Sequence, residues 1–291
     1  MFSGSIPALV TPFTAGRVNE DAFRDLVEWQ IVEGSSALVP CGTTGEVATL
    51  SAEEHARVVR LCVEQARGRV PVIAGCGSYS TAASAEKMRV AKEAGAAAAL
   101  VVVPYYNKPS QTGIAAHFRA LAEASDLPIV VYNVPGRTVA DISVETLAEV
   151  AKLPTVVGIK DATGNLARVT AQRLACGEDF CQLSGNDDMA LGFNAMGGVG
   201  CISVTANVAP RLCAEFQAAT LKRDWDKALG LQDRLFALHT AMFADASPGP
   251  AKYALGRVRP GFPQELRLPL TEPSDTAKRA VDAALEVAGL A

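Results

Sequence analysis

Lys160 lies in the run Val156-Val157-Gly158-Ile159-Lys160-Asp161, a long cationic side chain inside an otherwise strand-like apolar segment. Strand alternation allows it to face solvent, but apolar residues on both sides of it favour the interior. An ordinary lysine amine has a pKa of ~10.4, and burial disfavours the ammonium form, so an inward-facing lysine gains nucleophilic character. A neutral amine adds to a ketone, and the iminium that follows is an electron sink that lets the adjacent carbon lose a proton. The chemistry indicated is a Schiff base with a ketone, of the 2-oxo acid class where a carboxylate grip accompanies the amine.

Such a reaction needs a proton relay and a carboxylate grip. Tyr132 ends the preceding apolar run, just before Asn133-Val134-Pro135-Gly136-Arg137, and a phenol beside a hydroxyl such as that of Thr43 can carry the proton. The segment alone fits equally a ring that caps the strand by burial. The loop Gly42-Thr43-Thr44-Gly45-Glu46 offers hydroxyls and backbone N–H groups to a carboxylate, and no lysine follows its second glycine as a phosphate loop would require. The fork of Arg137 suits a carboxylate, and a surface arginine without a task fits the sequence as well. Tyr105 and Tyr106 put two rings at a mouth or a subunit contact. Gly75-Cys76-Gly77-Ser78-Tyr79-Ser80 begins like a dinucleotide fingerprint, but Ser80 stands where the third glycine belongs.

The whole chain narrows the classes. Its 291 residues, 49% of them hydrophobic and 20% charged, can fill a substantial core, and a formal charge of −4 gives no basic field for nucleic acid. The longest apolar run, near Ala94 to Val103, is too short to span a bilayer, and no targeting segment is evident at the start, so a cytoplasmic protein without a membrane partner is expected. Seven cysteines without a CxxC pair read as buried free thiols. Three histidines without ligand spacing make a catalytic metal hard to assemble, so neither metal nor cofactor is expected.

The elements that must position these residues are eight short apolar runs, starting at Ser5, Ala37, Pro71, Ala98, Pro128, Thr155, Phe180 and near Gly198. They are mostly unalternated, as strands buried on both faces are, and amphipathic stretches separate them: Asn19 to Glu33, Ser51 to Arg67, Ser80 to Ala94, Ile114 to Ser125, Ser143 to Lys152. Parallel βαβ units follow. Periodicity also admits an open doubly wound sheet, but polar and reactive residues gather at the C-terminal ends of the runs, where a barrel has its mouth. The expected fold is therefore α/β, a (β/α)8 TIM barrel over residues 1–220, with a C-terminal helical domain over 221–291.

Taken together, Gly42-Thr43-Thr44-Gly45-Glu46, Pro104-Tyr105-Tyr106-Asn107, Tyr132 to Thr138, Gly158-Ile159-Lys160-Asp161-Ala162-Thr163-Gly164 and Ile202-Ser203-Val204-Thr205-Ala206-Asn207 resemble the 4-hydroxy-tetrahydrodipicolinate (dihydrodipicolinate) synthase family over nearly the whole chain. Lys and Tyr are shared across the wider pyruvate Schiff-base lyases, whereas Arg137 after the Tyr-Asn-Val-Pro turn is typical of this family. The resemblance implies that pyruvate forms an imine with Lys160 and condenses with L-aspartate 4-semialdehyde, on the diaminopimelate route to lysine. It implies Tyr132, Thr43 and Tyr106 as proton relay, with Tyr106 given by a neighbouring subunit of a homotetramer built as a dimer of dimers. It implies Thr44 at the pyruvate carboxylate, Arg137 at the semialdehyde carboxylate, and Gly185, Asn186 and Ile202 around the pocket. The rivals are a lyase of the same superfamily acting on N-acetylneuraminate or a 2-keto-3-deoxy sugar acid, a silent 2-oxo-acid sensor, and a nucleotide-dependent oxidoreductase.

One departure concerns regulation. Relatives that bind feedback lysine use positions matching Ala48, His55, Tyr79, Ala83 and Tyr105, with Asn and Glu usual where this chain has Tyr79 and Ala83; Ala52 also replaces a His found in some of them. A methyl in place of a carboxylate removes the counter-ion for the lysine ammonium. Weak or absent inhibition by lysine is expected in an initial-rate assay at saturating pyruvate, and strong inhibition there would refute it.

Overall fold

The computed structural model describes residues 2–290. Its seven-stranded sheet is wholly parallel. The strands are β1 (Gly4–Pro7), β3 (Ile73–Gly75), β4 (Ala98–Val102), β5 (Ile129–Asn133), β6 (Val156–Asp161), β7 (Cys181–Ser184) and β8 (Gly200–Ser203), with β8 paired back onto β1. The remaining gap, between β1 and β3, is bridged by residues 37–40, here called β2, through Ala8↔Val39 and Leu38↔Val72. Backbone bonds from Leu9 N to Val39 O and from Ile73 N to Leu38 O run along both of its sides. The ring thus closes. The sequence marks 37–40 as a strand like the others, and it is reduced to bridges because Pro40 has no N–H for a ladder and Cys41 turns the chain at φ 56°.

A helix follows each strand: α1 (Glu20–Val32), α2 (Ala52–Ala66), α3 (Thr81–Glu93), α4 (Gln111–Ala124), α5 (Val144–Val150), α6 (Ala167–Cys176), α7 (Ala190–Ala195) and α8 (Pro210–Leu221). The starts of the first five follow from side-chain capping. The side chains of Asn19, Ser51, Ser80, Ser110 and Ser143 accept from backbone N–H groups of the first turns of α1 to α5, and Ser51 with Glu54 makes a reciprocal capping box. Three further helices, α9 (Trp225–Ala241), α10 (Gly249–Val258) and α11 (Asp275–Ala288), come after the barrel.

Two apolar layers explain the unalternated strands. Inward residues such as Ile6, Val39, Ile73, Leu100, Val130 and Leu183 fill the barrel. Outward residues such as Val101, Val131 and Ile159 join helix residues such as Leu26, Val58 and Phe118 in one continuous cluster that also takes in Leu235 and Leu285 of the C-terminal helices. All seven thiols are free, and six of them are buried. Among the described residues no helix is long and apolar enough to cross a membrane, and no three His, Cys, Asp or Glu side chains converge to hold a metal.

One buried ion pair ties the C-terminal helices to the barrel mouth. Lys252 of α10 lies 2.5 Å from Glu46, with both side chains fully enclosed, and its ammonium also donates to the Glu265 carbonyl. The second oxygen of Glu46 accepts from Arg267 N at 3.1 Å. Burial pulls the Lys252 amine below the ordinary lysine range, and Glu46 opposes that pull. Removing one partner leaves a charge without compensation, so Lys252→Met is expected to cost about 3–5 kcal/mol in urea denaturation, and the double variant with Glu46→Gln to recover part of it. A single variant as stable as the parent would show that the pair is dispensable.

Candidate active site

Lys160 projects into the barrel from the end of β6. Its register partners are Tyr132 on β5 and Leu183 on β7, both in the inner cluster, and the lysine is 6% exposed. Its Nζ stands 4.2 Å from the centroid of the Tyr132 ring, within cation–π range. The parallel ladder causes this meeting, because paired residues of adjacent parallel strands point the same way. Gly185, just past β7, leaves the space the lysine occupies: a Cβ there would lie 2.6 Å from Ala162 Cβ and 3.1 Å from Lys160 Cε.

The Gly42 to Glu46 loop comes in from β2. Thr43 and Gly42 share with Tyr132, Gly75 and Val102 a cavity of about 40 Å³. Thr44 is buried beneath the exposed Thr43, and the Gly45 carbonyl accepts from Thr11 Oγ1 at 2.8 Å. Ile202 of β8 belongs to the inner cluster that contains Tyr132. Asn186 follows Gly185, half-buried, with its backbone N–H on Ser184 Oγ. The structure therefore gathers Lys160, Tyr132 and Gly185 directly, and places Thr43, Thr44, Asn186 and Ile202 on the surrounding strand ends.

Arg137 and Tyr106 stand apart. Arg137 is exposed on a four-residue helical turn, Pro135–Thr138, with Pro135 at its first position. Tyr106 is 89% exposed on the loop after β4 and holds φ 66°, a left-handed conformation costly for a tyrosine. Within a single chain it lies outside the cavity.

The positions linked to lysine regulation also scatter by burial. Ala48 and Ala83 are exposed, whereas His55 is buried with Nε2 2.7 Å from the Gly75 carbonyl. Burial pulls the His55 imidazole below its usual range, so at neutral pH it is the uncharged donor to that carbonyl. Tyr79 packs edge-on against Tyr105, ring centroids 5.5 Å apart, and Asn107 Nδ2 donates to the Tyr79 carbonyl.

The glycines of the Gly75 loop serve packing. A Cβ at Gly75 would lie 2.0 Å from the Cys41 carbonyl and one at Gly77 2.5 Å from Val102 N, so these residues let strand ends approach rather than cradle a phosphate. Burial pushes the Cys41 and Cys201 thiols well above the ordinary range, which keeps both as inert thiols.

Several residues that hold the site have no motif. Asp187 accepts from Val204 N, Thr205 N and the Ser203 hydroxyl, joining the ends of β7 and β8. Asp161 accepts from Thr163, Arg168 and Gln172. For Lys252 a signal exists: it shares a helix face with Leu255, one turn on, inside an apolar stretch.

With this geometry in view, a sequence profile of the Dihydrodipicolinate synthetase family matches residues 1–288. The chain belongs to that family. It is 67% identical to the 4-hydroxy-tetrahydrodipicolinate synthase of Rhizorhabdus wittichii and 64% identical to that of Zymomonas mobilis, with all of each chain covered. Among solved structures it is similar to the chloride-inhibited dihydrodipicolinate synthase of Acinetobacter baumannii complexed with pyruvate, at 41% identity and a TM-score of 0.97 over 100% of both chains. The dihydrodipicolinate synthase of Aquifex aeolicus is similar at 40% identity and a TM-score of 0.97 over 99% of both.

The space at Gly185 generates a test. Gly185→Ala is expected to slow borohydride-trappable imine formation with pyruvate by about tenfold or more, at a stability cost of about 1–3 kcal/mol. An alanine variant that traps pyruvate at the parent rate would show that the lysine has room to spare.

Proposed function

We propose that this protein is a 4-hydroxy-tetrahydrodipicolinate synthase, a lyase that condenses pyruvate with L-aspartate 4-semialdehyde in the diaminopimelate route of lysine biosynthesis. The observation that carries the reading is the buried Lys160 amine held over the Tyr132 ring inside a closed barrel. Names borne by relatives as much as 67% identical over the full chain support it.

In this reading the Lys160 amine adds to C2 of pyruvate, and loss of water leaves the imine. C3 then gives up a proton to form the enamine, which attacks the aldehyde carbon of the second substrate. The amino group of that substrate next attacks C2, expelling the Lys160 amine and closing the ring. Imine formation and release move protons between nitrogen and oxygen, enamine formation takes one from C3, and the aldol step delivers one to the new hydroxyl; the hydroxyls of Tyr132, Thr43 and Tyr106 are the proposed relay. The backbone and hydroxyl of Thr44 would hold the pyruvate carboxylate, and Arg137 that of the semialdehyde. Gly185, Asn186 and Ile202 would shape the pocket. No cofactor enters the scheme.

Tyr106 completes the relay only from a second copy. Its exposure and left-handed backbone support a contact in which this ring reaches a neighbouring subunit's site, and the assembly we propose is a homotetramer, a dimer of dimers. We further treat residues 1–220 as the catalytic barrel and 221–291 as a helical unit that braces it, in a cytoplasmic enzyme.

Borohydride reduction in the presence of pyruvate, followed by peptide mass spectrometry, is expected to find the adduct on Lys160 and nowhere else. Lys160→Ala should lower turnover by about 10³-fold or more. Coupled reduction of the condensation product separates this enzyme from its rivals: activity confined to the cleavage of N-acetylneuraminate or 2-keto-3-deoxy sugar acids would overturn the assignment.

A further inference from the structure

The residues next to the reacting pair are themselves paired. Asn133 and Asp161 are register partners one step beyond Tyr132 and Lys160, and alternation turns them outward, toward the helices. Both are buried. Asp161 accepts from Thr163 N at 2.8 Å, Thr163 Oγ1 at 2.6 Å, Gln172 Nε2 at 2.7 Å and Arg168 Nε at 3.2 Å. Asn133 Nδ2 donates to Asp141 Oδ1 at 2.7 Å.

Arg168 joins the two halves. While Nε faces Asp161, Nη2 donates to the Ile142 carbonyl at 2.7 Å and Nη1 lies 3.7 Å from Asp141 Oδ1. The result is a closed circuit from β5 through residues 141–142 and Arg168 to β6, completed by the strand ladder. Residues 134–142 are the segment that carries Arg137, and within it Val139 holds φ 60°, a left-handed backbone that a β-branched residue keeps only when its surroundings over-determine it.

We propose that Arg168 is a positioning residue for the condensation, fixing the segment that bears Arg137 relative to the Lys160 amine. The inference rests on the synthase reading and deepens it, because it assigns Arg168 to the second substrate rather than to pyruvate. The asymmetry follows from the bonds that survive its loss. Asp161 would keep Thr163 N, Thr163 Oγ1 and Gln172, so β6 and its lysine stay placed. Residues 141–142 would keep their bonds to Asn133 and Gln111, but the Ile142 carbonyl would lose its side-chain donor and the segment its side-chain link to β6. A shift of about 1 Å in a binding group far from the chemistry is enough to cost as much as about a hundredfold in rate.

The test compares Arg168→Met and Asp141→Ala with the parent enzyme. Asp141 is half-exposed, so its truncation leaves a folded protein to measure even if the Met variant is unstable. Expected in both is a fall in kcat/KM for L-aspartate 4-semialdehyde of about tenfold or more, with borohydride-trappable imine formation and KM for pyruvate within about twofold of the parent. Arg168→Lys should restore only part, since an ammonium cannot fork between Asp161 and the Ile142 carbonyl. Equal losses in imine formation and condensation, or no loss in either variant, would overturn the inference. Failure of the parent enzyme to trap pyruvate on Lys160 would instead sink the synthase reading itself.

Discussion

The parallel register of β5 against β6 is the constraint from which the site follows. It sets Tyr132 beside Lys160 on the inner wall of a closed ring, so the amine meets an aromatic face at 4.2 Å without any specific loop geometry. A one-residue slip of either strand would turn that strand's residue into the helix layer, so that Tyr132 and Lys160 no longer shared a face. Closure of the ring matters for the same reason, because an open sheet would leave the inner face to solvent. At β2 two isolated bridges replace a ladder, and it is there that the Gly42 to Glu46 loop begins.

A division of labour runs along the strand ends. Inward positions hold the groups suited to chemistry, and the outward position that follows holds a polar anchor: Lys160 is followed by Asp161, Tyr132 by Asn133, Ile202 by Ser203. Each anchor is buried and satisfied, Asp161 by four donors and Ser203 by its bond to Asp187. Asn207 adds a further link, with its side chain donating to the Ala8 carbonyl and accepting from Val10 N. In a low-dielectric interior such hydrogen bonds are strong, and these anchors are paired even though the Oε1 of Gln172, one of the donors to Asp161, has no partner. The mouth of the barrel is thus stiffened from outside, leaving the inner face free for substrate.

How much of this is legible in the sequence depends on range. Strands buried on both faces produce unalternated apolar runs, and Asn19, Ser51, Ser80, Ser110 and Ser143 mark helix starts by local capping, so the eight-unit pattern is visible without coordinates. Lys160 stands out because a charge within an apolar run violates local consistency. The 37–40 segment misleads, since its composition is that of a strand while Pro40 and Cys41 spoil the ladder. Arg168 and Asp141 carry no signal at all: an arginine on an amphipathic helix reads as a solvated face, and only the fold brings it between two strand ends. Glu46 is visible only as the end of the Gly42 to Glu46 loop, since its partner lies 206 residues away.

That distance explains why the C-terminal helices cannot be read as an appendage. Glu46 holds φ 55° directly after Thr43, Thr44 and Gly45, a conformation that opposes its own side chain's preferences. Local turn bonds hold its backbone, from Glu46 N to the Thr43 carbonyl and from Thr49 N to the Glu46 carbonyl, and its carboxylate adds long-range contacts to Lys252 and the backbone of Arg267. Arg267 in turn forks onto Glu54 of α2 and reaches the carbonyls of Thr49 and Gly16, so one short stretch grips both sides of the loop. Lys252 and Arg267 also both lie over a single ring, Phe13, at 4.3 and 4.2 Å from its centroid. A desolvated lysine is tolerated only with its counter-charge in place, and the counter-charge is in place only when the loop is in its left-handed turn. Docking of the C-terminal helices and the shape of the loop that carries the threonines are therefore linked through a buried pair of charges, one from each segment.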